Sequence, residues 1–133
     1  MTSNPVDLHR AFASFDTEWS PHIVTRVNDY DVRIVKIRGE FVWHRHVDTD
    51  EFFHVISGDV DIALRDDDGR ERVVNLTEGS VFTVPRGTEH KPSSISGAHV
   101  LLFEPSDTVN TGDKHGDIPS HISSTTGRVM SAG

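Results

Sequence analysis

Residues 39–58 read GEFVWHRHVDTDEFFHVISG. The run Phe41–His46 alternates in the manner of a strand, and the run Glu51–Ser57 does the same across the short turn Val47–Asp50. Side chains alternate along a strand, so His44 and His46 leave the backbone on one face, about 7 Å apart. If the two runs pair as a hairpin, Glu51 returns beside the two imidazoles. Phe53 and Val55 then share the inner face with Glu51, while Phe41, Trp43, Phe52, His54 and Ile56 form the outer face. So much apolar surface needs a cover, either an N-terminal helix or a second subunit.

The same period continues outward from this stretch. HIVTRV (22–27), YDVRIVKI (30–37), VDIALR (60–65), RVVNL (72–76), SVFTV (80–84) and AHVLLF (98–103) are separated by turn signals such as Asn28-Asp29, Gly58-Asp59, Asp68-Gly69 and Glu78-Gly79. With the two central runs, that makes about eight short strands. No helical pattern separates them, so an all-β sandwich or small barrel is expected rather than a parallel α/β sheet. Apolar Val35 and Ile37 are assigned to the core, and Lys36 and Arg38 stay open because Gly39 can reset the register.

Beyond the sheet, Pro85-Arg86-Gly87 forms a turn that can aim His90 back toward His44, His46 and Glu51. Three histidines and a carboxylate suit one divalent ion: iron, manganese, nickel, cobalt, copper or zinc. The pair His44-x-His46 alone is weak, because alternating histidines also decorate polar sheet faces. The whole string is far more specific: Gly39-x4-His44-x-His46-x4-Glu51-x6-Gly58, then Gly79-x5-Pro85-x-Gly87-x2-His90.

In that order and spacing the chain resembles the cupin superfamily across about residues 19–112. It is most similar to short single-domain cupins, loosely compared with mannose-6-phosphate isomerase. One departure is Ser94, where the family often has asparagine. The resemblance implies a small antiparallel β-barrel or jelly roll with a metal near one mouth, held by His44, His46, Glu51 and His90. It also implies a homodimer, here built on the outer face of the central runs.

Composition agrees with a metal held by nitrogen and oxygen. The 133 residues include nine histidines and no cysteine, so disulfides, thiolate metal sites and thiol nucleophiles are excluded. A net charge of −8 argues against a nucleic-acid footprint or a polybasic membrane patch. No apolar run approaches the roughly 20 residues that span a bilayer. The N-terminus has no secretory pattern, and a cytoplasmic protein is the expectation.

The flanks read differently. Residues 1–21 are expected to be a helical segment, capped by Asn4 with Pro5 in its first turn and a stripe of Leu8, Phe12, Phe15 and Trp19. The barrel follows over 22–112. In 105–133, Pro, Gly, Ser and Thr supply 15 residues, and 113–133 is expected to be a flexible tail with little to bury. His9 and His22 read as surface positions, His115 and His121 as tail residues, and His99 stays undecided between pocket and exterior.

Four protein ligands on an octahedral ion leave two positions, which suit a small chelating substrate such as a diol, hydroxy-ketone, keto acid or dicarbonyl. The ion would act as a Lewis acid or, if it is iron, support dioxygen chemistry. No dedicated catalytic base stands out. By resemblance the reactions are oxygenation, isomerisation or epimerisation, decarboxylation and cyclisation. Oxygenation is placed first because a thiol-free histidine site suits iron(II). A non-catalytic module that captures a sugar or carboxylate through the metal is the alternative, and a dimeric scaffold the third reading.

Overall fold

The computed structural model describes residues 4–114 and 116–130. One helix, α1 (Leu8–Ala13), precedes eight strands: β1 (His22–Val27), β2 (Tyr30–Glu40), β3 (Glu51–Gly58), β4 (Val60–Arg65), β5 (Glu71–Leu76), β6 (Val81–Val84), β7 (Glu89–Pro105) and β8 (Arg128–Val129). Pairing follows the order β5-β4-β7-β2-β1-β8, with β3 between β6 and β7. The sheet does not close on itself, and the architecture is a jelly roll, as the resemblance implies. Among the described residues, no helix is long and apolar enough to cross a membrane.

β7 organises the molecule. One of its edges pairs with β2 from Ser93 to Pro105. Its other edge pairs with β4 from Glu89 to Ser93, then with β3 from Ala98 to Phe103. A strand of 17 residues is long for a small domain, and this length lets it serve both layers.

Alternation decides which side chains enter the space between the layers. Val35 and Ile37 from β2, Phe53 and Val55 from β3, Val60, Ile62 and Leu64 from β4, and Ala98, Val100 and Leu102 from β7 are buried in one cluster. The placement of Val35 and Ile37 in the core is as expected from sequence. The same parity sends Lys36 outward, where its Nζ donates to the Phe15 carbonyl at 2.6 Å. Arg38 pairs with Glu18 at 3.1 Å.

The sequence expectations need correction at five places. Residues 41–46 do not pair with β3 as a hairpin. They continue beside β7: the Phe41 amide donates to the Pro92 carbonyl at 2.9 Å, and His44 bridges to His90. Gly39, at φ +79°, carries the break in register between Ile37 and Gly39. Phe41 and Val42 are both buried, so the alternation is lost there and Phe41 joins the core instead of the outer face. Trp43 does stay outside, half-buried between Arg65, whose guanidinium carbon lies 3.9 Å from the ring centroid, and Lys91.

The helix is shorter than its stripe. Asp7, not Asn4, accepts from the Arg10 amide as the N-cap, and the helix ends at Ser14. Phe15 and Trp19 lie beyond it in a segment that runs beside β2, where the Trp19 amide donates to the Lys36 carbonyl at 2.7 Å. Trp19 takes φ +58° and tucks its indole into the core, with Nε1 donating to the Arg38 carbonyl at 2.9 Å. The helix itself covers part of the outer sheet face through Ala11 and Phe12 against Ile34, Ile56 and Leu101.

His22 is buried rather than a surface position, stacked on Phe15 at 3.8 Å. Finally, the segment after 113 does bury a side chain: Ile122 belongs to the core cluster and β8 adds a parallel edge to β1. His115 lies outside the described residues.

Candidate metal centre

The segment that carries His44 and His46 is held from three sides. Backbone hydrogen bonds join His44 and His90 in both directions. The Pro85-Arg86-Gly87 turn docks on the same segment: the Gly87 amide, at φ +80°, donates to the His46 carbonyl at 2.8 Å. Asp113 closes the third side, its Oδ1 accepting from the Arg45 amide at 2.9 Å and its own amide donating to the Arg45 carbonyl at 3.0 Å. Gly112 permits this approach, because a Cβ there would collide with the Arg45 carbonyl.

Within this frame the four residues expected from sequence come together. His44, His46, Glu51 and His90 each place one ligand atom within 4.8 Å of the others, and all four are buried. Ring centroids of His44 and His90 lie 4.2 Å apart, and those of His44 and His46 lie 5.0 Å apart. Glu51 comes from the start of β3. Its carboxylate touches His46 Nε2, and its Oε1 lies 3.9 Å from His90 Nε2.

Hydrogen bonding sets the tautomers. Nδ1 of His44 donates to the Val42 carbonyl at 2.9 Å, and Nδ1 of His90 donates to the Thr88 carbonyl at 2.9 Å. In the neutral ring each Nε2 is then a lone pair directed away from the backbone. The Nε2 atoms of His44, His46 and His90 are buried without a hydrogen-bond donor or acceptor that satisfies them. Buried polar atoms are normally paired. Three unsatisfied Nε2 atoms converging with a carboxylate fit a cation, so these residues could hold a divalent metal. The tethering of the far ring nitrogen to a carbonyl is also how metal-binding histidines are oriented in general.

Burial and Glu51 set the charge states. Burial, helped by His90, holds the His44 imidazole down to about 3, so it is neutral at ordinary pH. Burial opposes the charged form of His46 and of His90, but Glu51 outweighs it and raises both. Burial likewise opposes an ionised Glu51, and the close approach and charge of His46 and His90 overcome it, holding the carboxyl well below its ordinary range.

An apolar cavity opens onto the cluster. His44 and Glu51 line it together with Trp19, Phe41, Phe53, Val100 and Leu102. Two further polar side chains line it: Asn110, bonded to Ser123 and Thr125, and Glu104 on β7, buried, with Oε1 accepting from Arg33 Nη1 at 2.9 Å. Burial and the charge of Glu51 push its carboxyl up to about 8, against the pull of Arg33. Arg33 is fully buried and also binds Asp31 at 3.0 Å. Sequence reasoning missed this trio, although the parity that puts Val35 and Ile37 inside also puts Asp31 and Arg33 there.

The other described histidines stand apart from the centre. His54 is half-buried on the opposite face of β3 from Glu51. His99 stacks on Phe12 of the helix at 4.3 Å, outside the cavity. His9 and His121 are exposed.

Comparison with known proteins agrees with this picture. The chain is 37% identical over 71 residues to an uncharacterised protein, YdbB, of Bacillus subtilis, covering 53% of this chain and 59% of that one. It is 35% identical over 60 residues to a 3-hydroxyanthranilate 3,4-dioxygenase of Bacillus thuringiensis, covering 44% of this chain and 34% of that one. The match thus spans between one third and three fifths of these relatives' lengths. A crystal structure of a cupin-2 domain containing protein from Shewanella frigidimarina superposes with a TM-score of 0.70 at 38% identity, covering 75% of this chain and 93% of that one. The family model for the cupin domain matches residues 31–104, which hold all four residues of the centre. With the fold, the buried cluster and this match in agreement, the chain belongs to the cupin family.

Proposed function

We propose that the protein is a metal-dependent enzyme of oxygenase type acting on a small chelating substrate. The observation that carries this reading is the convergence of three unsatisfied histidine Nε2 atoms and one carboxylate at the base of an apolar cavity. The similarity to a 3-hydroxyanthranilate 3,4-dioxygenase supports the same chemistry. A divalent metal in this centre supplies Lewis acidity and, if it is iron, the capacity to react with dioxygen.

The chain's own contributions follow from the geometry. His44 and His90, pinned through Nδ1, present fixed Nε2 donors. Glu51 brings one negative charge, so a divalent ion there keeps a net charge near +1 and attracts an anionic chelator. Trp19, Phe41, Phe53, Val100 and Leu102 exclude water, which strengthens every polar interaction inside the cavity. The same walls select a ligand with an apolar body.

The test begins with protein purified without a histidine tag. Metal analysis should find near one ion per chain. The iron-loaded protein should then consume oxygen with at least one member of a panel of catechols and diketones. A chain that takes up no metal under replete conditions overturns the reading. A chain that holds metal and binds chelators without consuming oxygen leaves a binding module in place of an enzyme.

A further inference from the structure

The cavity contains one polar atom that the four metal-binding side chains leave unexplained. Glu104 is 1% exposed, and its Oε2 is buried with no hydrogen-bond partner. Leaving such an oxygen unsatisfied costs about 1–3 kcal/mol, and a core built only for stability would carry an apolar residue there. Arg33 does not relieve it. Its guanidinium already donates to both Asp31 and Glu104 Oε1, and to the carbonyls of Thr108 and Ser106. The bond from Arg33 takes Oε1 and holds the carboxyl in place, so Oε2 is the oxygen left for whatever enters the cavity. Glu104 and Glu51 line that cavity together.

We infer that Glu104 is a substrate-binding residue, whose Oε2 hydrogen-bonds a hydroxyl or amino group carried beside the chelating pair of a flat, largely apolar substrate. The inference rests on the metal-centre reading above and narrows its substrate class. Chelation by an ortho pair fixes one edge of the ligand on the metal. A polar group next to that pair would then face Glu104, which lines the same cavity as Glu51, and the remaining edge of the ring would meet Trp19, Phe41 and Phe53. Arg33 is a positioning residue in this arrangement, because it reaches the ligand through Glu104 alone.

The test uses two chelators that differ by one hydroxyl, catechol and pyrogallol, titrated without oxygen into the cobalt-loaded full chain. Metal content is measured first, so failure of the centre to load is seen before any ligand is added; it would remove both readings. In the loaded wild type, pyrogallol is expected to bind at least about tenfold more tightly than catechol, the value of one hydrogen bond made in a dry site. Glu104→Met is expected to keep the metal and the catechol affinity while losing that preference. A purely structural Glu104 would lower stability in the variant without touching the preference. Equal affinities in the wild type, or a preference that survives in Glu104→Met, would overturn the inference and leave the metal centre standing. A second measurement needs no variant. In the zinc-loaded wild type, the Glu104 carboxyl carbon resonance should move on adding pyrogallol and stay on adding catechol; no movement with pyrogallol overturns the proposal as well.

Discussion

His44 and His90 are joined through their backbones: the His44 amide donates to the His90 carbonyl at 3.1 Å, and the His90 amide donates to the His44 carbonyl at 2.9 Å. Two residues 46 positions apart in sequence therefore form one rigid unit. Their rings, 4.2 Å apart, inherit that rigidity.

A first prediction concerns the hierarchy of residues around the centre. His44→Ala and His90→Ala remove a ligand, and metal affinity should fall by more than the 10- to 100-fold that losing an outer partner costs. Asp113→Ala removes only the brace on the Arg45 backbone, so its loss should stay near about 10-fold. Competition against a chelator, followed by metal analysis of the protein, checks both. Equal losses in all three variants would show that Asp113 does more than brace.

Proton linkage gives a second prediction. Metal binding needs neutral histidines. In the metal-free chain Glu51 raises His46 and His90, so both bind a proton more tightly than an ordinary imidazole, whose usual range lies near 6.5. Their protons must leave when metal binds, and affinity should climb as pH rises through that range. His44, held down to about 3, has no proton to release above pH 5. The slope of log affinity against pH below 6.5 should therefore approach about two rather than three. Equilibrium occupancy against a chelator from pH 5 to 8 measures it. A slope of three would place His44 among ordinary histidines.

The four residues of the centre were legible in sequence because local rules set them. His44 and His46 are two apart in extended chain, Glu51 begins the next strand, and the Pro85–Gly87 turn precedes His90. The hairpin drawn through them was not correct, since backbone partners across 46 residues are invisible to local periodicity. Phe41 was misplaced for the same reason: an irregular step at Gly39 to Val42 shifts the alternation by one. Glu104 escaped notice because it sits in the apolar run HVLLFEP, where nothing marks a carboxylate as buried until its partner Arg33, 71 residues away, is brought alongside.

That partnership yields a third prediction. Arg33 and Asp31 are fully buried, and Glu104 is nearly so. Removing one member of a buried charged group strands the rest, at a cost of about 3–5 kcal/mol. Arg33→Met should lower the unfolding free energy by that amount, read as a lower urea midpoint at an unchanged m-value. A loss below about 1 kcal/mol would be typical of an exposed pair and would show that water reaches the trio.

The C-terminal segment supports a fourth. Ile122 is 5% exposed within the core cluster, and Asn110 bonds Ser123 and Thr125 across the two arms of its loop. Ile122→Ala should cost about 2–5 kcal/mol, as truncation of a packed core residue does. Thermal and urea unfolding of the variant measure this. A neutral result would return the segment to the tail that its composition suggests.

The last prediction concerns what covers the outer sheet face. The helix shields Ile34, Ile56 and Leu101. Beside them, Tyr30, Val32, Phe52 and Phe103 lie on the same face of β2, β7 and β3, each half-buried, with Tyr30 and Phe103 stacked at 4.9 Å. A contiguous aromatic row is unfavourable in water. A second copy of the chain, related by a two-fold axis, can cover the row with its own, because such an interface brings the same patch together from both subunits. Size exclusion with light scattering should give a species of about twice the 14.8 kDa chain mass. Phe52→Lys should shift it toward the monomer, since a charge on each side of the axis would then be buried unpaired. A wild-type chain that runs as a monomer at micromolar concentration would leave the row exposed and defeat the prediction.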